Sequence, residues 1–149
     1  MTATLRSLYD LDFAEWTQAT AELLRQHKFD EIDIENVAEE IESLGKRDRR
    51  ELSSRLKVLL MHLLKWTYQP EQYTNSWRSS VKEQRRQIKA ILKDSPSLKR
   101  HMIEEFSDCY QDARDMATDE TGLEIAVFPI DCEWTIEQVL DSNYLPEVP

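Results

Sequence analysis

The sequence predicts an all-α fold: an up-and-down bundle of four main helices with a long central helix and a C-terminal extended strap that carries a short helix. Only two of the 149 residues are glycines, and a β-rich fold would need many more for its tight turns. Apolar residues recur every three or four positions over most of the chain, which is the period of an amphipathic helix. We expect residues 1–149 to form a single helical-bundle domain.

The first helix is predicted to begin at Asp10 or Asp12, since either side chain can cap its first turn, and to end near Lys28. Residues 29–31 then form a short connection to the next helix. The face of the first helix that we expect to point inward follows the helical period. It consists of Phe13, Trp16, Thr20, Leu23 and His27.

The central helix is predicted to begin after Asp33, its N-cap, with Ile34, Val37, Ile41 and Leu44 along one apolar stripe. Gly45 leaves two alternatives: it ends one helix, or it is tolerated inside a longer one at a cost of about 1 kcal/mol. Continuity is favoured because residues 46–51 contain no further helix breaker. From residue 58 to residue 66 apolar side chains point almost all round the helix, which places this segment at the centre of the bundle.

Two prolines divide the rest of the chain. Pro70 ends the central helix, because proline disfavours helix in the residue before it. Thr74 or Asn75 then caps a third helix that ends near Asp94, where the segment around Pro96 separates it from the fourth helix.

The C-terminal tail begins at Gly122, which is expected to end the fourth helix in a left-handed conformation. Residues 125–129 are predicted to form the extended strap. A short helix follows, in which Thr135 and Gln138 have the spacing of a capping box.

Five short segments carry a resemblance to a known family. They are Tyr9–Phe13 with Trp16, Glu35–Asn36 with Glu39–Gly45, His62–Trp66 with Gln69–Pro70, Ser76–Trp77, and Phe128–Pro129 with Cys132. Taken together and in this order, they resemble the bacterial, especially cyanobacterial, family catalogued as domain of unknown function twenty-nine. The resemblance covers nearly the whole chain. It implies a small helical bundle and leaves the biochemical role open.

Charge is distributed unevenly along the chain. Residues 46–100 have a net charge of +10, whereas the segments before and after them have net charges of −8 and −12. Cationic residues recur every three or four positions on the third helix, and we call them the basic stripe: Arg78, Lys82, Arg85, Lys89 and Lys93. The stripe favours pairing with carboxylates of the same chain or of a protein partner. Nucleic acid is not the expected partner, because a net charge of −10 repels a polyanion at long range.

A second candidate site lies in the central helix, where His62 has apolar neighbours in sequence on both sides. On a helical wheel Arg55, His62 and Trp66 fall within about 60° of one another. Two interpretations remain open. His62 is a core histidine that hydrogen-bonds within the bundle, or it belongs to a small pocket with Arg55, Trp66 and Trp77 that holds an anionic ligand or a partner's carboxylate.

Catalytic patterns are missing from the sequence. No histidine has a glutamate three residues before it, the spacing of dinuclear metal sites in helical bundles. Cys109 and His101 lie eight residues apart on one predicted helix, about 12 Å along its axis and beyond hydrogen-bonding reach. We therefore expect no catalytic residues, no metal and no cofactor, and an enzyme is disfavoured.

The working hypothesis is a non-enzymatic protein-interaction module of the bacterial cytoplasm, which could also form a homodimer. The two cysteines lack any paired spacing, which is typical of a reducing compartment. No apolar run approaches the roughly 20 residues that span a bilayer, so we expect no membrane association. The alternative is an accessory protein that binds a small ligand or nucleic acid.

Overall fold

The structure is a computed structural model that describes residues 5–147, apart from the side chains of Arg6 and Ser7. Within these residues it contains six α-helices and no β-strand. The prediction of an all-α bundle with a long central helix is confirmed. The helices are α1 (Leu5–Leu11), α2 (Phe13–Arg25), α3 (Ile34–Tyr68), α4 (Asn75–Asp94), α5 (Leu98–Thr121) and α6 (Ile136–Leu140).

The chain divides into two compact units, residues 1–47 and residues 48–149. The first unit contains α1, α2 and the N-terminal part of α3. The second contains the rest of α3, α4, α5, α6 and the segments that connect them. The single domain expected over residues 1–149 stays a prediction.

The N-terminal region forms two helices where the sequence predicted one. Asp12 caps α2, as one of the two alternatives required, and its carboxylate accepts a hydrogen bond from the backbone N–H of Glu15 at 3.1 Å. Residues 5–11 form an additional helix, α1, which is only two turns long and therefore too short for periodicity to reveal. Across this junction the ring of Trp16 lies 4.9 Å from that of Tyr9 and 5.6 Å from that of Phe13.

The end of α2 was also predicted wrongly, since the helix ends at Arg25 and not near Lys28. His27 adopts a left-handed backbone conformation with φ of 58°. The N–H of His27 bonds to the carbonyl of Leu24 at 3.1 Å, and that of Lys28 bonds to Leu23 at 2.9 Å. These are the two bonds of a Schellman motif, which usually has glycine at the left-handed position. Because histidine takes the place of glycine there, the end of this helix could not be predicted from the sequence.

Helix α3 is continuous over 35 residues and passes through Gly45 without a break, as favoured. The C-terminal part of α3 forms the core of the second unit. The side chains of Leu52, Leu59, Leu60 and Leu63 have no exposed surface. They belong to one cluster with buried residues of α4, α5 and the tail, namely Val81, Ile88, Leu98, Met102, Cys109, Tyr110, Ala113, Ala117, Phe128 and Val139.

The tail follows the prediction only in part. Residues 125–127 form a 3-10 turn, and the backbone becomes extended only at Phe128, which is 1% exposed. Helix α5 fixes this segment, because the hydroxyl of Tyr110 donates to the carbonyl of Pro129 at 2.6 Å and the guanidinium of Arg114 donates to two further carbonyls. These hydrogen bonds satisfy backbone carbonyls of the tail that would otherwise lack partners. The predicted C-cap at Gly122 and the capping box of α6 are confirmed.

Candidate functional site

Helix α4 carries the basic stripe, and the structure separates its five members into two kinds. Arg78, Lys82, Lys89 and Lys93 are exposed, whereas Arg85 is only 3% exposed. Arg85 lies four residues after Val81 and three before Ile88, both of which are buried. This spacing puts its side chain on the core face of α4.

Arg85 joins α4 to α6. Its Nε donates to the carbonyl of Val139 at 2.8 Å, and one terminal nitrogen donates to the carbonyl of Gln138 at 3.4 Å. The last carbonyls of a helix have no partner within it, so the guanidinium caps α6. Burial lowers the pKa of Arg85, while Asp141 and Tyr144 oppose this shift. A guanidinium nevertheless stays charged at neutral pH.

Residues after α6 lie along α4 and form the opposite wall of an open groove, which we call the basic groove. Its volume is about 620 Å³. Lys89 contacts this wall directly, because its Nζ donates to the hydroxyl of Ser142 at 2.7 Å. Lys93 does not line the groove. The lining residues are Arg78, Val81, Lys82, Arg85, Arg86, Lys89, Ser142, Asn143 and Leu145.

Most of the cations that line the groove have no carboxylate partner among the described residues. Arg86 pairs with Glu83 at 2.8 Å, and hydrogen bonds from Arg86 and Gln87 lower the pKa of Glu83 to about 2. Among the described residues, Arg78, Lys82 and Lys89 form no salt bridge with a carboxylate. Their positive charge is therefore available to an anionic ligand.

The second predicted site does not come together as one cluster. Arg55 donates to Glu51 at 3.0 Å on its own helix and to the side-chain oxygen of Gln84 on α4 at 3.3 Å. Trp66 lies eleven residues further along α3, about 16 Å away on the helix axis. Arg55 and the two tryptophans therefore occupy different parts of the second unit. The binding role expected for Arg55, His62, Trp66 and Trp77 stays a prediction.

His62 is half-buried, and its Nδ1 has no hydrogen-bond partner among the described residues. Burial lowers its pKa, the positive charge of Lys65 lowers it further, and Glu120 opposes the shift. The histidine is consequently a neutral group near neutral pH. The described residues supply no hydrogen-bond partner for Nδ1, and both interpretations of His62 stay open.

Trp66 and Trp77 are brought together by a residue that the sequence analysis did not consider. The ring of Tyr73 lies 4.5 Å from that of Trp66 and 6.3 Å from that of Trp77, edge-on to both. Lys65 is buried beside them, with its Nζ 4.5 Å from the Trp77 ring and 3.5 Å from a carboxylate oxygen of Glu120. This ammonium is therefore held by a cation–π contact and an ion pair, and is engaged within the fold.

Reactive groups elsewhere in the described residues offer little chemistry. Both cysteines are free thiols, and burial raises the pKa of Cys109 and of Cys132. Thiols of this kind are poor nucleophiles at neutral pH. Within the part of the chain that the structure describes, no three His, Cys, Asp or Glu side chains are grouped to hold a metal ion. None of the described helices is both long and apolar enough to cross a membrane.

The sequence signature of a domain of unknown function, DUF29, matches residues 8–145. The chain belongs to the DUF29 family. No match was found among curated proteins or among solved structures.

Several residues in the segments that carry the DUF29 resemblance are packed within the fold, whereas Ile41 and Leu44 in the segment Glu39–Gly45 are exposed. Trp16 forms an aromatic cluster with its neighbours, Leu63 and Leu64 are in the core, and Phe128 packs edge-on against Tyr68 at 5.7 Å. None of these segments lines the basic groove. The DUF29 resemblance therefore explains the fold and does not point to the groove.

Two features of the groove were missed from the sequence. Arg86 was not included in the stripe, although it stands next to Arg85. The wall formed by Ser142, Asn143 and Leu145 comes from a tail that lies more than fifty residues away in sequence, and no local pattern indicates that contact. The burial of Arg85 could have been predicted, because its spacing from Val81 and Ile88 places it on the same face of α4 as these two core residues.

Proposed function

We propose that this chain is a non-enzymatic interaction protein of the bacterial cytoplasm, and that it binds an acidic segment of a protein partner in the basic groove. The observation that carries the proposal is the row of Arg78, Lys82 and Lys89 along one groove, without carboxylate partners among the described residues. The presence of two free cysteines is typical of a reducing compartment and supports a cytoplasmic location.

The dimensions of the groove suit a peptide. Arg78 and Lys89 are eleven residues apart on α4, which corresponds to about 16 Å along the helix axis. An extended peptide advances about 3.3 Å per residue, so roughly five residues of a partner span this distance. Val81 and Leu145 add apolar surface between the cations, which suits a segment that alternates carboxylates with apolar side chains.

Charge complementarity favours a protein over a nucleic acid. The cations form a single row in a groove, whereas the chain as a whole has a net charge of −10 and repels an extended polyanion. A short acidic peptide carries few charges and experiences the local potential of the groove more than the field of the whole protein.

The test measures the binding of a fluorescently labelled acidic peptide of about eight residues, rich in glutamate and leucine, by anisotropy at about 50 mM salt. We expect the full-length protein to bind it, and to lose binding to the same peptide with glutamine in place of glutamate. The variant Arg78→Glu/Lys82→Glu should bind about tenfold or more weakly, because it reverses two charges that contact the peptide.

A matched control variant separates the groove from net charge. Lys99→Glu/Arg100→Glu makes the same change in net charge at two exposed residues of α5 outside the groove. Its affinity should stay within about twofold of the parent protein. Equal losses in the two variants, absence of peptide binding, or tighter binding to mixed-sequence DNA than to the peptide would each refute the proposal.

A further inference from the structure

The N-terminal part of α3 exposes large apolar side chains in a row. Ile34 and Ile41 are each 64% exposed, and Leu44 is 55% exposed. Val37, which is half-buried, lies between them. We call these four residues the exposed stripe. Their spacing of three, four and three residues is that of a helix that packs along a second helix.

The contact that α1 makes with α3 lies on a different flank of this helix. Tyr9 of α1 donates its hydroxyl to the carboxylate of Glu40 at 2.5 Å, and Asn36 and Glu40 are half-buried. At 100° per residue, the flank centred on Asn36, Val37 and Glu40 lies about 80° from the centre of Ile34, Ile41 and Leu44. Ile34, Ile41 and Leu44 are therefore open to a further helix while α1 stays in place, and the half-buried Val37 lies at the border between the two flanks.

The spacing of the exposed stripe is self-complementary in the antiparallel direction. If two copies of this segment pack antiparallel, Ile34 of one copy lies level with Leu44 of the other, and Val37 lies level with Ile41. The same two pairs then recur on the other side of the twofold axis, so every member of the stripe meets an apolar residue.

Charge on the same segment favours that direction too. The acidic residues Asp30 and Glu31 precede the stripe, and the basic residues Lys46 and Arg47 follow it; all four are exposed. An antiparallel arrangement brings the acidic end of one copy beside the basic end of the other. A parallel arrangement would instead place acidic end beside acidic end and basic end beside basic end, which is unfavourable.

From these observations we infer that a second copy of this chain docks antiparallel on the exposed stripe and forms a twofold-symmetric dimer through the N-terminal part of α3. The stripe offers three largely exposed apolar side chains per copy, a small patch compared with the roughly 800 Å² that each partner buries in a typical stable interface. The dimer is consequently weak, and it forms at micromolar concentrations or above. This interface lies in the first unit, so it is independent of the basic groove in the second.

Sedimentation velocity of the full chain, from about 1 µM to about 1 mM, tests the dimer. We expect the mass to rise from that of the 17.6 kDa monomer towards twice that value. Ile41→Glu buries a charge at two symmetric positions and should raise the dissociation constant about tenfold or more. The matched control is Ile103→Glu, which changes an isoleucine that is 53% exposed on α5 and should leave the mass profile unchanged.

The direction of pairing is tested by reversing charges. Glu31→Arg alone and Arg47→Glu alone should each weaken the dimer several-fold, and the double variant Glu31→Arg/Arg47→Glu should restore it, because opposite charges again lie beside each other at the two ends of the interface. A monomer at all concentrations, equal effects of Ile41→Glu and Ile103→Glu, or a double variant as weak as the sum of the single ones would overturn the inference. Peptide binding by Ile41→Glu should remain intact, so failure here and failure of the groove proposal are distinguishable.

Discussion

Leu44 and Leu60 lie on the same helix, α3, in opposite surroundings. Every residue from 41 to 50 is exposed, whereas Leu56, Leu59, Leu60, Leu63 and Leu64 are buried with at most 1% of their surface accessible. Both parts are helical without interruption. Helical structure by itself therefore does not show where the core lies. In the C-terminal part packing stabilises the helix, whereas in the N-terminal part helix stability depends more on local interactions and helix propensity.

This comparison also shows where function is expected. Apolar residues of the C-terminal part are accounted for by the core of the second unit. Ile34, Ile41 and Leu44 are not buried against any of the described residues, and a row of exposed apolar side chains on one helix is typical of an interaction surface.

The largest expected effect compares one substitution in the two parts of α3. Leu60→Ala removes a fully buried side chain and leaves a cavity, so it should lower the free energy of unfolding by about 3–5 kcal/mol. Leu44→Ala removes a side chain that is 55% exposed and should change it by no more than about 0.5 kcal/mol. Urea denaturation followed by circular dichroism, at a concentration too low for self-association, measures both. Similar losses in the two variants would mean that residue 44 is packed within the monomer.

The extent of α3 and the part of it that lies in the core could be predicted from the sequence for a physical reason. Residues 58–66 are apolar on almost all sides, which is the pattern of a helix surrounded by others. The end at Pro70 and the left-handed cap at Gly122 follow from the backbone chemistry of two residue types. These features depend on residues close together in the chain, so periodicity and residue type are enough to predict them.

Features that depend on distant residues could not be predicted in this way. The basic groove needs the tail beside α4, and the hydrogen bonds from Arg85 to Gln138 and Val139 bring together residues more than fifty positions apart. The exposure of Ile41 is likewise a property of the folded chain, because its helical spacing is the same as that of a buried residue. His27 shows a third limit, since it adopts a left-handed backbone conformation that cannot be predicted from a non-glycine residue type.

A smaller effect, of opposite sign, is expected at Gly45 in the exposed part of α3. A Cβ added at this position would meet no atom within 4 Å, and the backbone there is helical. Gly45→Ala should therefore stabilise this part of the helix by about 1 kcal/mol, since alanine loses less conformational entropy on folding. Amide hydrogen exchange at low protein concentration should slow about fivefold for the residues around position 45.

Gly122 is the matched control for that substitution. Its φ of 73° is one that alanine adopts only with strain, so Gly122→Ala should destabilise the protein even though it also has open space around it. Faster exchange around position 45 in Gly45→Ala would show that the glycine is needed for a bend or a close approach in the N-terminal part of α3.

The smallest effect is expected from a titration in the buried part of the same helix. Burial and the charge of Lys65 lower the pKa of His62 from 6.5, so the unfolded chain takes up a proton at a higher pH than the folded one. The stability contributed by the neutral imidazole is therefore present above about pH 6.5 and is lost as the pH falls through the lowered pKa of the folded state.

Urea denaturation of the parent protein and of His62→Gln, between about pH 8 and pH 5, isolates this contribution, because other titrating groups are common to both. The difference in unfolding free energy between the two proteins should shift in favour of the variant as the pH falls below 6.5. Parallel curves would mean that His62 binds a proton as readily in the fold as in the unfolded chain. In that case water reaches the buried Nδ1 of His62, and this side of the C-terminal part of α3 is more hydrated than its leucines indicate.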